Sequence, residues 1–117
     1  MKGLDVIRYE GEGYKPMVDF ESWRVAYIRY AQRFDRANIK RLERHLLTDE
    51  IFVLLKGTAT LIMGEEMEEC PMDPGVICNV RKGVWHGIYV SRDALVLIVE
   101  NANTGIANTE YREIKDC

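Results

Sequence analysis

Turn residues punctuate this chain about every eight to twelve positions, and the segments between them alternate apolar and polar side chains. That spacing constrains the fold more than any other feature. A side-chain period of two belongs to a strand with one buried face, whereas an amphipathic helix needs apolar residues every three to four positions over a longer run. Few segments meet the helical requirement. Residues 50–56 are the most apolar, with Ile51, Phe52, Val53, Leu54 and Leu55 in succession, as in a strand buried on both faces or set in a barrel wall. Gly57 then permits a tight turn, and residues 58–63 return antiparallel. Asp73-Pro74-Gly75 is a second turn, in which Pro presets φ and Gly supplies the permissive position.

The remaining segments follow the same logic. Residues 4–9, 23–30, 39–46, 76–80, 84–90 and 95–100 read as strands, and 67–72 as a polar edge strand. Residues 16–22 read as irregular, and 31–38 as a polar connection with weak helical character. A loop over 101–108 precedes a last segment, 109–116, that fits helix or strand. Roughly nine or ten short strands predict an all-β sandwich or barrel, of which the double-sheet jelly roll is one form.

At 117 residues the chain is the size of one domain. A net charge of −3 gives no general case for nucleic acid, which calls for a basic domain. The charge is uneven. Arg24, Arg29, Arg33, Arg36, Lys40, Arg41 and Arg44 crowd one stretch, and Glu65, Glu66, Glu68, Glu69 and Asp73 another. The plain reading is two solvated surfaces. The sharper one is that some of the arginines point into a pocket and bind an anion bidentately. No stretch approaches the ~18 apolar residues of a membrane span, and Met1-Lys2-Gly3 opens no apolar leader. The expectation is a cytoplasmic protein whose three cysteines, Cys70, Cys78 and Cys117, are free thiols.

His45 and His86 are the only histidines, and each falls inside a spaced motif. The first reads Glu43-x-His45, four residues, Glu50, six residues, Gly57. The second reads Gly75, five residues, Arg81-x-Gly83, two residues, His86. Over residues 40–101 the chain resembles the cupin superfamily, whose motifs run H-x-H, three or four residues, E, six residues, G, and G, five residues, P-x-G, two residues, H. The resemblance implies a jelly-roll β-barrel, also described as a double-stranded β-helix, with residues 1–117 forming one cupin domain. It also implies that His45, Glu50 and His86 hold a divalent metal inside the barrel. Four positions depart from the pattern: Glu43 stands for the first histidine, Ala37 for the upstream glycine, Arg81 for the proline and Val90 for an asparagine.

Two imidazoles and a carboxylate with open positions suit Fe, Mn, Ni or Zn. In a strand, Arg41, Glu43 and His45 share one face. Glu43 is therefore a candidate fourth ligand or catalytic general base, and Arg41 a candidate substrate anchor. Trp85 alternates to the face opposite His86. Tyr27, Tyr30, Phe52 and Tyr89 are candidate cavity walls or ordinary packing. Two functions fit: a metal-dependent enzyme on a small sugar or organic acid, and a metal-free small-ligand-binding barrel. A homodimer is expected, because small barrels leave sheet edges that need cover and the segment 4–9 is free to pair with a neighbour's sheet.

Overall fold

Among the described residues the alternating segments become ten strands, and no α-helix interrupts them. The computed structural model describes residues 2–114. The strands are β1 (Gly13–Phe20), β2 (Trp23–Arg29), β3 (Arg41–His45), β4 (Glu50–Lys56), β5 (Ala59–Met63), β6 (Glu68–Pro71), β7 (Ile77–Val80), β8 (His86–Val90), β9 (Leu95–Asn101) and β10 (Thr109–Glu113). They form two five-stranded antiparallel sheets, ordered β1-β2-β9-β4-β7 and β10-β3-β8-β5-β6. Two 3₁₀ turns, Gln32–Phe34 and Arg36–Asn38, make the connection between β2 and β3. No helix among the described residues is long and apolar enough to cross a membrane.

Alternation decides which side chains enter the barrel. Phe52 and Leu54 of β4, Val96 and Ile98 of β9, Ala26 and Ile28 of β2, and Ile88 and Val90 of β8 are buried in one core. Burying a side chain of this size contributes about 1.5–3 kcal/mol relative to leaving it in water. Gly57 turns β4 into β5 at φ +73°, and a Cβ there would stand 2.8 Å from the Ala94 backbone. Only glycine joins that conformation to that close approach. Gly75 also takes a positive φ, +78°, at its turn.

Two expectations at the N-terminus are overturned. Residues 4–9 form no strand, and residues 16–20 are part of β1 rather than irregular. Pro16 obscured that strand. It has no N–H to donate, which an edge strand tolerates, and the pairing with β2 shifts register between Pro16 and Val18. The period-2 pattern therefore breaks where the strand does not. At the other end, residues 109–113 settle as strand. Cys70 and Cys78 are free thiols, and Cys117 lies outside the described residues.

Candidate functional site

β3, β4 and β8 bring four side chains to one point inside the barrel. Ligand atoms of Glu43, His45, Glu50 and His86 all lie within 4.8 Å of one another. Glu43 and His45 share the inward face of β3, and Glu43 stands opposite His86 in the β3–β8 ladder. Glu50 is the first residue of β4 and points inward on the same parity as Phe52 and Leu54. The strand's polar start is thus inside the barrel, not at an exposed rim.

Glu50 is the hub. Its Oε1 lies 3.1 Å from His45 Nε2 and 3.0 Å from His86 Nε2. Glu43 Oε1 is further off, 3.7 Å and 3.9 Å from the same nitrogens, and is the most exposed of the four. The outer nitrogens are held too. His86 Nδ1 is 3.0 Å from the Val84 carbonyl, and His45 Nδ1 is 3.0 Å from the Thr109 hydroxyl. The edge of the Phe52 ring packs on His86.

This arrangement has a consequence for the inner nitrogens. A carbonyl only accepts, so His86 Nδ1 carries the proton that binds Val84. A neutral His86 then presents an Nε2 lone pair to a carboxylate oxygen at 3.0 Å. Two acceptors do not hold that distance without a cation between them. A proton on Nε2 supplies one. Burial works against the charge on both histidines, but hydrogen bonds to Glu50 outweigh it and raise their pKa values above 6.5. A divalent metal supplies the other. Glu50 Oε1 lies close enough to both Nε2 atoms that His45, Glu50 and His86 would hold one ion among them. Hydrogen-bonded outer nitrogens are also the usual support of metal-ligating histidines. The donor set fits a first-row divalent ion.

Three functional residues escaped the sequence reading as a group: Tyr14, Arg24 and Glu100. Glu100 is buried at the end of β9, beside Glu50. Tyr14 donates a hydrogen bond to its Oε1, and Arg24 Nη2 pairs with the same oxygen at 3.0 Å. Burial and the Glu50 charge push the Glu100 carboxyl up to about 7, against the pull of Tyr14 and Arg24. Burial opposes ionisation of Glu50 as well, yet the two histidines hold it down at about 2. Two adjacent carboxyls do not both ionise readily, and the histidines decide that Glu50 is the one that does. The signal for Glu100 was its parity. It is a charged residue on the inward face of β9, in line with Val96 and Ile98, and directly across from Arg24 of β2.

The cluster lies in a cavity of about 610 Å³ with apolar walls that include Ile28, Phe52, Ile88 and Ile98. Arg33, Lys40 and Arg41 also line it. Of the crowded cations, these three and Arg24 reach the cavity. Arg36 and Arg44 instead pair with Glu69 and Glu110. Arg41 lies over the Tyr111 ring, 3.9 Å from its centre, and forms no ion pair among the described residues. Trp85 is outside the cavity, half-buried beneath Arg44. Phe52 is a cavity wall, whereas Tyr27, Tyr30 and Tyr89 are not.

The architecture has clear counterparts among solved structures. A cupin-2 domain protein from Shewanella frigidimarina aligns with TM-score 0.60 at 16% identity, over 78% of this chain and 83% of that one. The fold is that of the cupins. KdgF from Halomonas sp. matches this cupin barrel with TM-score 0.59 at 19% identity, over 75% of this chain and 76% of that one. Pac13 of Streptomyces, described as a nucleoside dehydratase, aligns with TM-score 0.66 at 10% identity, over 94% of this chain and 87% of that one. Neither a protein-family profile nor a curated protein sequence matches the chain.

Proposed function

We propose that this cupin barrel is a divalent-metal-dependent enzyme acting on a small sugar or organic acid. The observation that carries the reading is the pair of histidine Nε2 atoms aimed at one Glu50 oxygen from 3.0 and 3.1 Å. In this reading His45, Glu50 and His86 are the ligands. A bound Mn, Fe, Ni or Zn supplies Lewis-acid polarisation of a substrate carbonyl or hydroxyl oxygen. Glu43 is the catalytic base. It is the least buried of the four carboxylate and imidazole groups and the only one without a hydrogen-bond partner in the cluster, so its oxygens are free for a substrate proton. Arg41, Arg33 and Lys40 form a cationic approach that favours a carboxylate or phosphate on the substrate. The apolar walls exclude water and strengthen these charge interactions. Pac13 supports the enzymatic side of the proposal, since a barrel of about this length is described as a dehydratase.

A metal-free binding barrel is the second reading. Its support is that a protonated His45 and a protonated His86 both donate to Glu50 Oε1, with no ion required. Elemental analysis of protein purified without chelator or histidine tag separates the two. Stoichiometric first-row metal, lost in His86→Ala, is the expected result. A wild-type protein that is metal-free, and that shows no heat of binding when titrated with Mn, Fe(II), Ni or Zn, would leave only the binding barrel.

A further inference from the structure

The seam where the barrel's two sheets meet carries a pair of thiols. β6 ends one sheet and β7 ends the other, and neither has a second partner strand among the described residues. Residues 72–76 carry the chain from one edge to the other. This crossover is pinned on both sides. The Met72 N–H donates to the Ala59 carbonyl and the Gly75 N–H to the Leu54 carbonyl, each at 2.9 Å.

Beyond those two anchor points the edges run in step. Cys70 stands opposite Leu61, two residues along β5 from Ala59. Cys78 stands opposite Phe52, two residues along β4 from Leu54. Residues directly opposite in an antiparallel pair share a face of the sheet, and Leu61 and Phe52 both belong to the buried core. The two cysteines are therefore turned to the inside of the seam, at one level, from opposite sheets. Cys70 is exposed at the seam's open side, and Cys78 is half-buried against the core. Burial holds the Cys78 thiol above its ordinary range, and the neighbouring Cys70 and Asp73 push it the same way.

We propose that Cys70 and Cys78 are a reversible disulfide site that ties the two sheets together along the β6–β7 seam. Edge strands with no partner on one side are free to bring their Cα atoms within the ~7 Å that a bridge requires. The chemistry is thiol–disulfide exchange with a small disulfide oxidant such as glutathione disulfide. The Cys70 thiolate attacks one sulfur of the oxidant, forms a mixed disulfide and expels one glutathione thiolate. Cys78 then gives its proton to solvent, and its thiolate attacks the Cys70 sulfur and expels the second glutathione. Two protein thiols lose two electrons in all, and one glutathione disulfide is reduced to two thiols. Access and acidity set the order. Cys70 meets the oxidant first, whereas the half-buried Cys78 holds its proton, so the second step is the slower and quickens as pH rises. β7 also places Val80 opposite Glu50, so a tie at Cys78 braces the strand that presents Glu50 to the cavity.

Trypsin leaves both cysteines in one peptide, residues 57–81, because no Lys or Arg lies between Lys56 and Arg81. In wild type treated with glutathione disulfide at mildly alkaline pH and then alkylated, this peptide should be two hydrogens lighter and unalkylated. Cleavage before Asp73 should leave its halves joined until dithiothreitol is added. The bridged protein should melt a few degrees higher than the reduced protein, and dithiothreitol should reverse the shift. Cys78→Ser should stop at the mixed disulfide, with one glutathione on peptide 57–81 and no such rise. A wild-type peptide that stays reduced, or that stops at glutathione on Cys70, overturns the proposal. So does a bridge that lowers the melting temperature, since it would form at the expense of the fold. A bridge between the Cys70 residues of two chains, seen as a doubled mass without reductant, overturns it as well.

Discussion

Glu50, Phe52 and Leu54 lie on one face of one strand, yet they belong to two different regions of the molecule. The same gradient runs through three other strands. It goes from Glu100 to Ile98 to Val96 in β9, from Arg24 to Ala26 to Ile28 in β2, and from His86 to Ile88 to Val90 in β8. One end of the barrel is therefore a sealed apolar plug, and the other is a charged chamber connected to the cavity. The plug holds the fold by burial. The chamber contributes less to stability and more to chemistry, because each charge brought inside must be matched by a partner. Function and stability are divided along strands, not between them.

Leu54→Ala should separate the two ends most sharply. Leu54 is 1% exposed in the plug, and truncating a buried Leu costs about 2–5 kcal/mol. A midpoint lowered by that amount in urea, with metal uptake unchanged, is the expected result. Loss of metal affinity at the same time would mean that the plug and the chamber are coupled.

His86→Ala attacks the chamber. It should remove most of the metal and cost a smaller amount of stability, about 1–3 kcal/mol, since Glu50 keeps His45 but loses one partner while buried. Glu50→Gln should also weaken metal binding, because an amide replaces an anionic oxygen. Unaltered metal content in His86→Ala would defeat the ligand assignment. Thr109→Val is the milder test, expected to lower affinity roughly 10–100-fold through the lost support of His45 Nδ1.

The plug was more legible in sequence than the chamber. Ile51 to Leu55, Gly57 and the turn at Pro74-Gly75 announce themselves by period and turn chemistry, and β4 has the bounds expected for it. His45, Glu50 and His86 were legible because their spacing resembles a known pattern. Glu43 stands at the first histidine of that pattern, and Arg41 followed from parity alone. Tyr14 was hidden and Arg24 was only one of seven crowded cations, since each reaches Glu100 across strands distant in sequence, and only register brings them together. Nor does local pattern show that residues 4–9 lack a partner strand, because pairing is a property of the whole sheet. Residues 4–9 read as a strand and have none of a strand's neighbours among the described residues.

Acidity distinguishes the chamber with and without metal. The raised histidine pKa values contribute stability that is full below about 6.5 and is lost as pH rises through the higher folded values. Glu100, raised from 4.5 to about 7, acts in the same direction. Glu50, lowered from 4.5 to about 2, contributes stability above 4.5 that is lost as pH falls towards 2. Metal-free protein should therefore be most stable near pH 4.5–5, where Glu50 is ionised and Glu100 still protonated, and melt several degrees lower at pH 9. Metal competes with the histidine protons, so its stabilising effect should grow with pH over the same interval. A metal-free melting temperature that rises from pH 6 to 9 would contradict the protonated chamber.

The smallest effect is expected at the cavity mouth, where neither burial nor a fixed partner amplifies a change. Arg41 is exposed and is held only by its stack on Tyr111, a contact of about 0.5–1 kcal/mol at such a site. Arg41→Ala should leave the melting temperature and metal content within error, and should weaken binding of a small dicarboxylate or sugar phosphate by no more than about tenfold, which is ~1.4 kcal/mol. Raising the salt from 0.05 to 0.5 M should weaken wild-type binding and narrow its advantage over the variant, because exposed charges are screened. Tyr111→Leu should reproduce part of the loss by freeing the guanidinium, while retaining the salt dependence. Arg41→Lys keeps the charge and gives up the planar fork, so it should rescue binding only partly if recognition is bidentate. Equal binding in wild type and Arg41→Ala at low salt would remove Arg41 from the recognition site and leave Arg33 and Lys40 to account for the positive approach.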